Sequence, residues 1–376
     1  MARTYANDFE PQDAGGLKIL QAIHLDPPLV LALLLLTACG LGVLYSAGNQ
    51  NIDLIIRQST RLILAFGVMV MMAQIPPQNF KLWAPWIFLL GMILLALVLV
   101  LGDIGKGAQR WLDFGFVRFQ PSEMMKLAGP MMIAWFFADK PLPPSFKNLI
   151  IATILVIIPT MLIARQPDLG TSLLIAASGF FVIYFAGLKW KLLAGFAVLM
   201  AALTPVLWHF MHDYQRRRVL TFLNPENDPL GAGYHIIQSK IAIGSGGLYG
   251  KGWLNGTQSH LDFLPERSTD FIFAVFSEEF GFLGVMLLLA LYFFIVIRGL
   301  IIASKAQDSF GRLLAGSLSL TFLVYLFVNV GMVSGLLPVV GVPLPLVSYG
   351  GTSMVTIMAG FGMLMSINSH RRLLRK

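Results

Sequence analysis

Apolar runs of about twenty residues recur along almost the whole chain and constrain its fold more than any other feature. The hydrocarbon core of a bilayer is about 30 Å thick, and a helix of roughly 20 apolar residues crosses it. Candidate runs cover residues 29–47, 59–76, 83–102, 122–138, 148–165, 170–187, 191–211, 271–303, 310–338 and 346–369. They predict an all-α polytopic membrane protein of about ten transmembrane helices, with a long extracytoplasmic loop before the eighth.

Charge is scarce in this chain. Charged residues make up 12% of the 376 residues and hydrophobic residues 56%, whereas soluble domains carry roughly 25% charged residues. This composition excludes a soluble globular enzyme and a disordered chain. The net charge of +8 would suit a nucleic-acid partner, but the basic residues lie mostly between apolar runs, as membrane-surface charges do. We therefore expect no nucleic-acid partner.

The runs divide the chain into three parts. Residues 29–369 form a single transmembrane domain that includes the long loop 212–270, residues 1–28 precede it, and 370–376 form a basic tail. Short loops rich in Lys and Arg stay in the cytoplasm. That rule predicts that both termini are cytoplasmic and that loop 212–270 lies outside.

An acid and a lysine three residues apart, Glu123 and Lys126, follow a Gly-rich segment that is expected to be a loop. This spacing places both side chains on one helix face, where they can pair. One interpretation is a capping acid with a lysine that snorkels to water. The other is a functional pair, because ionisable groups at membrane depth are usually functional.

Two further polar motifs also allow two interpretations each. In the turn 165–172, Asp168 either caps a helix in a plain hairpin, or Arg165 faces an outer cavity and binds an anion. In the long loop, the run that includes Arg217 and Arg218 is either a solvated or lipid-contacting face, or a site for phosphate oxygens, which guanidinium groups bind well. The sequence leaves both questions open.

Asp270 ends the long loop and begins a long apolar run. It is either a helix-capping residue or a carboxylate that acts as general base or metal ligand on a substrate at the membrane surface. The last loop, 338–353, is apolar and interrupted by Pro and Gly, which predicts a re-entrant or half-helix segment that lines a cavity. The sequence contains neither an HExxH motif nor an assignable Ser–His–Asp triad.

Five motifs in order, across nearly the whole chain, resemble the SEDS family of peptidoglycan synthesis proteins, and its elongation-type members more than its division-type ones. They are RFQPSEMMK (118–126), RQPDLGTS (165–172), RRVLTFLNPENDPLGAGYHIIQS (217–239), LDFLPERSTDFIFAVFSEEFG (261–281) and PLPLVSYGGTS (343–353). The resemblance implies a ten-helix inner-membrane glycosyltransferase that polymerises lipid II. Its implied partners are a class B penicillin-binding protein transpeptidase and other membrane proteins of the elongation complex.

The resemblance also implies roles for particular residues. The family's essential aspartate falls on Asp270, and its acid–lysine pair falls on Glu123 and Lys126. Ser268 stands where the family often has histidine, so a proton-relay role is not carried over to it. The expected substrate-binding positions are Arg165, Asp168, Arg217, Arg218, Gln238, Ser239, Glu266, Ser348 and Gly350. No metal ligand set is identified, although the chemistry leaves room for a divalent cation, Mg²⁺ or Mn²⁺.

A polyprenyl diphosphate donor needs cations around its diphosphate, and the acceptor sugar hydroxyl needs a base. Asp270 and the nearby cations would meet both needs. Two other functions use the same features. A lipid II flippase would need a polar path across the bilayer, whereas the charges gather on the outer side. A non-catalytic scaffold would leave the polar cluster without a purpose.

Overall fold

In a computed structural model of the protein, the described residues are 23–105, 108–113, 118–192, 194–195, 198, 202–203, 208, 216, 220–221, 224, 232–257 and 266–370. These residues form helices joined by mostly short connections. The helices are α1 (Pro27–Ala47), α2 (Ile52–Gln74), α3 (Pro77–Leu101), α4 (Pro121–Ala138), α5 (Phe146–Arg165), α6 (Leu169–Phe185), α7 (Ala232–Ser245), α8 (Ile272–Ser304), α9 (Ser309–Val333) and α10 (Thr352–Ser369).

The helices agree with the apolar runs. Within the described residues, α1, α2, α3, α5, α8 and α9 are long and apolar enough to cross a membrane, and the apolar α6 is shorter. The predicted helical, multi-pass membrane fold is confirmed. The seventh predicted span, 191–211, lies largely outside the described residues, so the number of ten spans stays a prediction. Helix α2 begins at Ile52, earlier than predicted, because the side chain of Asn51 accepts a hydrogen bond from the backbone N–H of Leu54 and caps it.

From α1 to α6 and from α8 to α10, successive helices run in opposite directions, so the bundle has two ends. Helix α7 instead runs alongside the first half of α8, with His235 against Phe271 and Ser245 beside Glu278. At one end, Arg298 and Asn368 both donate to the carboxylate of Asp26, which joins the start of α1 to the last turns of α8 and α10. The other end holds Asp270, just before α8. We call these the Asp26 end and the Asp270 end.

Residues 103–119, predicted as a Gly-rich loop, contain a small sheet, so that prediction was wrong. Strand β2 (Ala108–Asp113) pairs antiparallel with β1 (Asp103–Gly105) and with β3 (Arg118–Phe119). The backbone bonds between three short strands fix this segment at the Asp270 end. The guanidinium of Arg118 lies 3.0 Å from the carboxylate of Asp113 and supports the β2–β3 pair.

Helix α8 is broken at Gly281, whose φ of 63° and ψ of −167° are not helical. Residues 246–252, here the glycine turn, satisfy the backbone groups that the break leaves unpaired. The N–H groups of Lys251 and Gly252 donate to the last carbonyls of the first half-helix. The carbonyls of Gly247 and Leu248 accept from the first N–H groups of the second half. Glycine is required at the break because a Cβ on Gly281 would collide with the backbone of the turn.

Two fully buried carboxylates reinforce this junction. The Oε1 atom of Glu278 accepts from Lys251 Nζ at 2.7 Å and from the N–H and hydroxyl of Thr257 at 2.9 and 3.0 Å. The neighbouring Glu279 accepts from the hydroxyl of Ser46 on α1. The half-helix Ile272–Phe280 is therefore joined to the glycine turn and to α1.

Candidate active site

Helix α4 brings Glu123 and Lys126 together inside the bundle. Their side chains are 9% and 7% exposed, and Lys126 Nζ lies 2.7 Å from Glu123 Oε1. The ammonium also lies 5.3 Å from the ring centroid of Tyr325 on α9. Lys126 does not snorkel to water, and the N-cap of α4 is Gln120, so the interpretation as cap and surface lysine was wrong.

The second oxygen of Glu123 is a further sign of function. Glu123 Oε2 is buried, and among the described residues it has no hydrogen-bond partner. Buried polar atoms nearly always have partners in folded proteins. A buried carboxylate oxygen without a protein partner is an acceptor available to a substrate hydroxyl or to water.

Asp168 joins the second motif to the first. Its Oδ1 atom accepts from the backbone N–H of Thr171 at 3.2 Å, which confirms the capping interpretation. Its Oδ2 atom accepts from Gln120 Nε2 at 3.3 Å and lies 3.8 Å from Arg110 Nε on β2. Asp168 therefore caps α6 and at the same time ties α6 to the start of α4 and to the sheet.

Asp270 lies in a turn that α9 and the last loop hold in place. Asn329, buried one turn after Tyr325 on α9, donates from Nδ2 to the carbonyls of Asp270 and Val342, both at 2.8 Å. Four residues of helix advance about 6 Å along its axis. The Asp270 backbone and the Lys126 ammonium thus contact adjacent turns of the same helix.

The last loop contacts the same turn from the other side. The Ser348 hydroxyl donates to the carbonyl of Thr269 at 2.6 Å, and the Tyr349 N–H donates to the carbonyl of Ser268 at 2.8 Å. Ser348 is buried, and its hydroxyl also accepts from the backbone N–H of Leu344 at 2.8 Å, so it joins the last loop to the turn and positions it. Residues 338–351 are non-helical and several of them are buried, whereas their lining of a cavity stays a prediction.

Asp270 does not occupy the helix-capping position. The N-cap of α8 is Phe271, and the helix starts at Ile272. Asp270 is partly exposed and its Oδ2 atom is near Gly341 of the last loop. The capping interpretation of Asp270 was therefore wrong, and its carboxylate sits at the rim of the site.

The other predicted residues fall into four groups. Arg165 ends α5 and is exposed, and the exposed Glu266 accepts from Thr269 Oγ1 at 2.7 Å in the same turn as Asp270. Gln238 and Ser239 lie on α7, where the Ser239 hydroxyl donates to the carbonyl of Val333 at 2.7 Å. Gly350 lies beside Gln58 of α2. Arg217 and Arg218 lie outside the described residues.

Four residues that contact the candidate site were not predicted from the sequence: Arg110, Gln120, Tyr325 and Asn329. Asn329 could have been identified, because it is a polar residue inside an apolar run. Polar residues are costly within a membrane and usually have a functional role there. Arg110 gave no signal, since it reaches Asp168 only after the sheet has formed.

The carboxylates do not form a cage for a cation. Among the described residues, no group of three or more His, Cys, Asp or Glu side chains could hold a metal ion. The described residues therefore offer no preformed site of this kind for Mg²⁺ or Mn²⁺.

Replacing Asn329 with Leu should lower turnover without weakening substrate binding. The change leaves two buried carbonyls unpaired, at about 1–3 kcal/mol each, and releases the Asp270 backbone. We expect kcat to fall at least tenfold while KM for lipid-linked substrate stays constant. Ser319→Ala is the matched control, because Ser319 is equally buried on α9 but donates only to Ala315 of its own helix. Equal losses in both variants would contradict the positioning role.

Known proteins resemble this chain over nearly its whole length. Residues 23–373 match the family model of FtsW, RodA and SpoVE, described as cell cycle proteins. The peptidoglycan glycosyltransferase MrdB of Escherichia coli K12 is 58% identical over 355 residues, 94% of this chain and 96% of that protein. The MrdB of Helicobacter pylori 26695 is 39% identical, with 78% of each chain covered.

Solved structures agree in fold. A chain from a study of how a peptidoglycan synthase complex coordinates polymerization and crosslinking superposes with a TM-score of 0.80 at 30% identity, covering 92% of this chain and 99% of that one. The rod shape determining protein RodA of Thermus thermophilus gives 0.69 at 28% identity, covering 91% and 96%. These matches agree with the five sequence motifs. The protein belongs to the SEDS family, which includes RodA.

Proposed function

We propose that this protein is a peptidoglycan glycosyltransferase that polymerises lipid II into glycan strands during cell elongation and releases undecaprenyl diphosphate. The observation that carries the proposal is the convergence of Asp270, the Glu123–Lys126 pair and the last loop on adjacent turns of α9. The relatives named peptidoglycan glycosyltransferase, the E. coli protein first among them, support the same activity.

In the proposed reaction, an acceptor sugar hydroxyl attacks the anomeric carbon of the donor. The carbon–oxygen bond to the diphosphate breaks, the leaving group takes the electron pair, and Asp270 accepts the proton of the hydroxyl. Proton removal by a positioned carboxylate typically contributes about 10²–10⁴ in rate. A single base opposite a departing group is the arrangement of an inverting transfer.

The leaving diphosphate needs positive charge. Because Glu123 already compensates Lys126 at 2.7 Å, that pair has no net charge to give. Lys126 can still donate its remaining N–H groups to an oxygen of the substrate. We assign most of the charge compensation to Arg217 and Arg218, with Arg165 at the edge of the site.

We further propose that the Asp270 end faces outward from a bacterial cytoplasmic membrane and that both termini are cytoplasmic. The partner is a class B penicillin-binding protein transpeptidase. The related chain solved within a peptidoglycan synthase complex supports an assembly of this kind.

The decisive experiment incubates the purified protein with lipid II, alone and with its transpeptidase partner, and separates the products by gel electrophoresis. We expect glycan strands and one undecaprenyl diphosphate released for each bond formed. If no strands form with the partner present, the proposal fails. If labelled lipid II crosses liposomes without being polymerised, the protein is a flippase.

A further inference from the structure

Two contiguous cavities lie at the Asp26 end, between α1 and α8, far from the candidate active site. One is polar, about 560 Å³ in volume, and is lined by Asp26, Arg298, Lys305 and Asn368 among others. The second, about 450 Å³, has only apolar lining residues, among them Leu31, Leu35, Leu291 and Phe294. Pro27 and Pro28 line both cavities, so the two form one amphipathic groove.

The described residues that line the polar cavity carry an excess of one positive charge. The Asp26 carboxylate accepts from Arg298 Nε at 3.1 Å, from Arg298 Nη2 at 2.7 Å and from Asn368 Nδ2 at 2.9 Å. Arg298 is thus compensated, although 29% of its side chain is still exposed. Lys305 is exposed, and no described residue forms an ion pair with it.

The groove lies at a membrane surface. Residues 282–304 of α8, beyond the break at Gly281, span about 34 Å. That length crosses a bilayer core about 30 Å thick, so Lys305 and Asp270 are on opposite sides of it. The polar cavity meets the apolar one at Pro27, the first residue of α1, where the helix enters the hydrocarbon. Leu31 and Leu35, 59% and 53% exposed, open the apolar cavity toward lipid.

We propose that this groove binds an anionic glycerophospholipid from the leaflet opposite the Asp270 end. The phosphate contacts Lys305 and the exposed edge of Arg298, and an acyl chain fills the apolar cavity. Phosphatidylglycerol, with one net negative charge, neutralises the excess of one positive charge, whereas zwitterionic phosphatidylcholine does not. The bound lipid stabilises the junction where α1, α8 and α10 meet, because it adds contacts that only the folded state offers.

Thermal unfolding of the full chain in detergent tests this proposal. We expect dioleoyl-phosphatidylglycerol to raise Tm by about 4 °C more than dioleoyl-phosphatidylcholine does. Lys305→Gln should remove most of that difference, and Lys305→Arg should keep it. Lys147→Gln, which changes an exposed lysine in the first turn of α5 at the same end, is the matched control and should keep the difference in full.

Three results would overturn the proposal: equal shifts with the two lipids, a full difference in Lys305→Gln, or the same shift with inorganic phosphate alone, which would indicate a phosphate site. A difference that appears only after residues 1–22 are removed would assign the groove to the chain's own N-terminal segment. None of these readouts uses catalysis, so the outcome is independent of the proposed function.

Discussion

Asp270→Asn should abolish detectable glycan polymerisation while the protein still folds, inserts and binds lipid II. The amide keeps the size of the side chain but cannot take a proton from the attacking hydroxyl. Loss of a general base costs about 10²–10⁴ in rate. Product strands counted on a gel after a fixed time, at saturating lipid II, give the measurement.

The control for this variant is Asp53→Asn, which changes an exposed carboxylate in the first turn of α2 at the same end of the bundle. It should polymerise at the wild-type rate. If Asp270→Asn keeps the wild-type Tm and the wild-type affinity for lipid II, its loss of activity is due to the chemical step and not to misfolding. An active Asp270→Asn protein would end the assignment of this residue as the base.

Glu123→Gln should destabilise the protein by about 3–5 kcal/mol, because it leaves the buried Lys126 ammonium without a compensating charge. The loss is measured by thermal unfolding in detergent. The control pair is Lys81 and Asp139, equally close at 2.7 Å but exposed. Asp139→Asn should cost no more than about 1 kcal/mol.

A double variant separates stability from activity at this pair. Glu123→Gln combined with Lys126→Met removes both charges, and buried ion pairs can be replaced by apolar groups at little cost. We expect its Tm to return close to wild type while polymerisation stays lost. Restored polymerisation would show that the Glu123–Lys126 pair has only a structural role.

The sequence predicted the helices better than their contacts. The apolar runs located the described spans, since burial in lipid demands long apolar helices. The cap at Asp168 was also readable, because a cap depends only on neighbours in sequence. Which motifs meet was not readable, since the bonds of Asn329 to Asp270 and Val342 join residues 59 and 13 positions apart.

The errors have physical causes as well. The strands of 103–119 were missed because each is short and glycines separate them, so pairing with each other defines them more than their own composition. The interpretation of Asp270 as a helix cap was wrong because the turn continues through Phe271 before α8 starts. Local pattern could not distinguish that turn from a helix start.

The break at Gly281 separates the part of α8 that crosses the bilayer from the half-helix that follows Asp270. A continuous helix transmits any tilt along its whole length, and spans adjust to hydrophobic mismatch chiefly by tilting. Here residues 282–304 suffice to cross the hydrocarbon, at about 34 Å. The half-helix after Asp270 is bonded to the glycine turn and to α1 instead. The position of the Asp270 turn is therefore set by these protein contacts and not by the length of the membrane span.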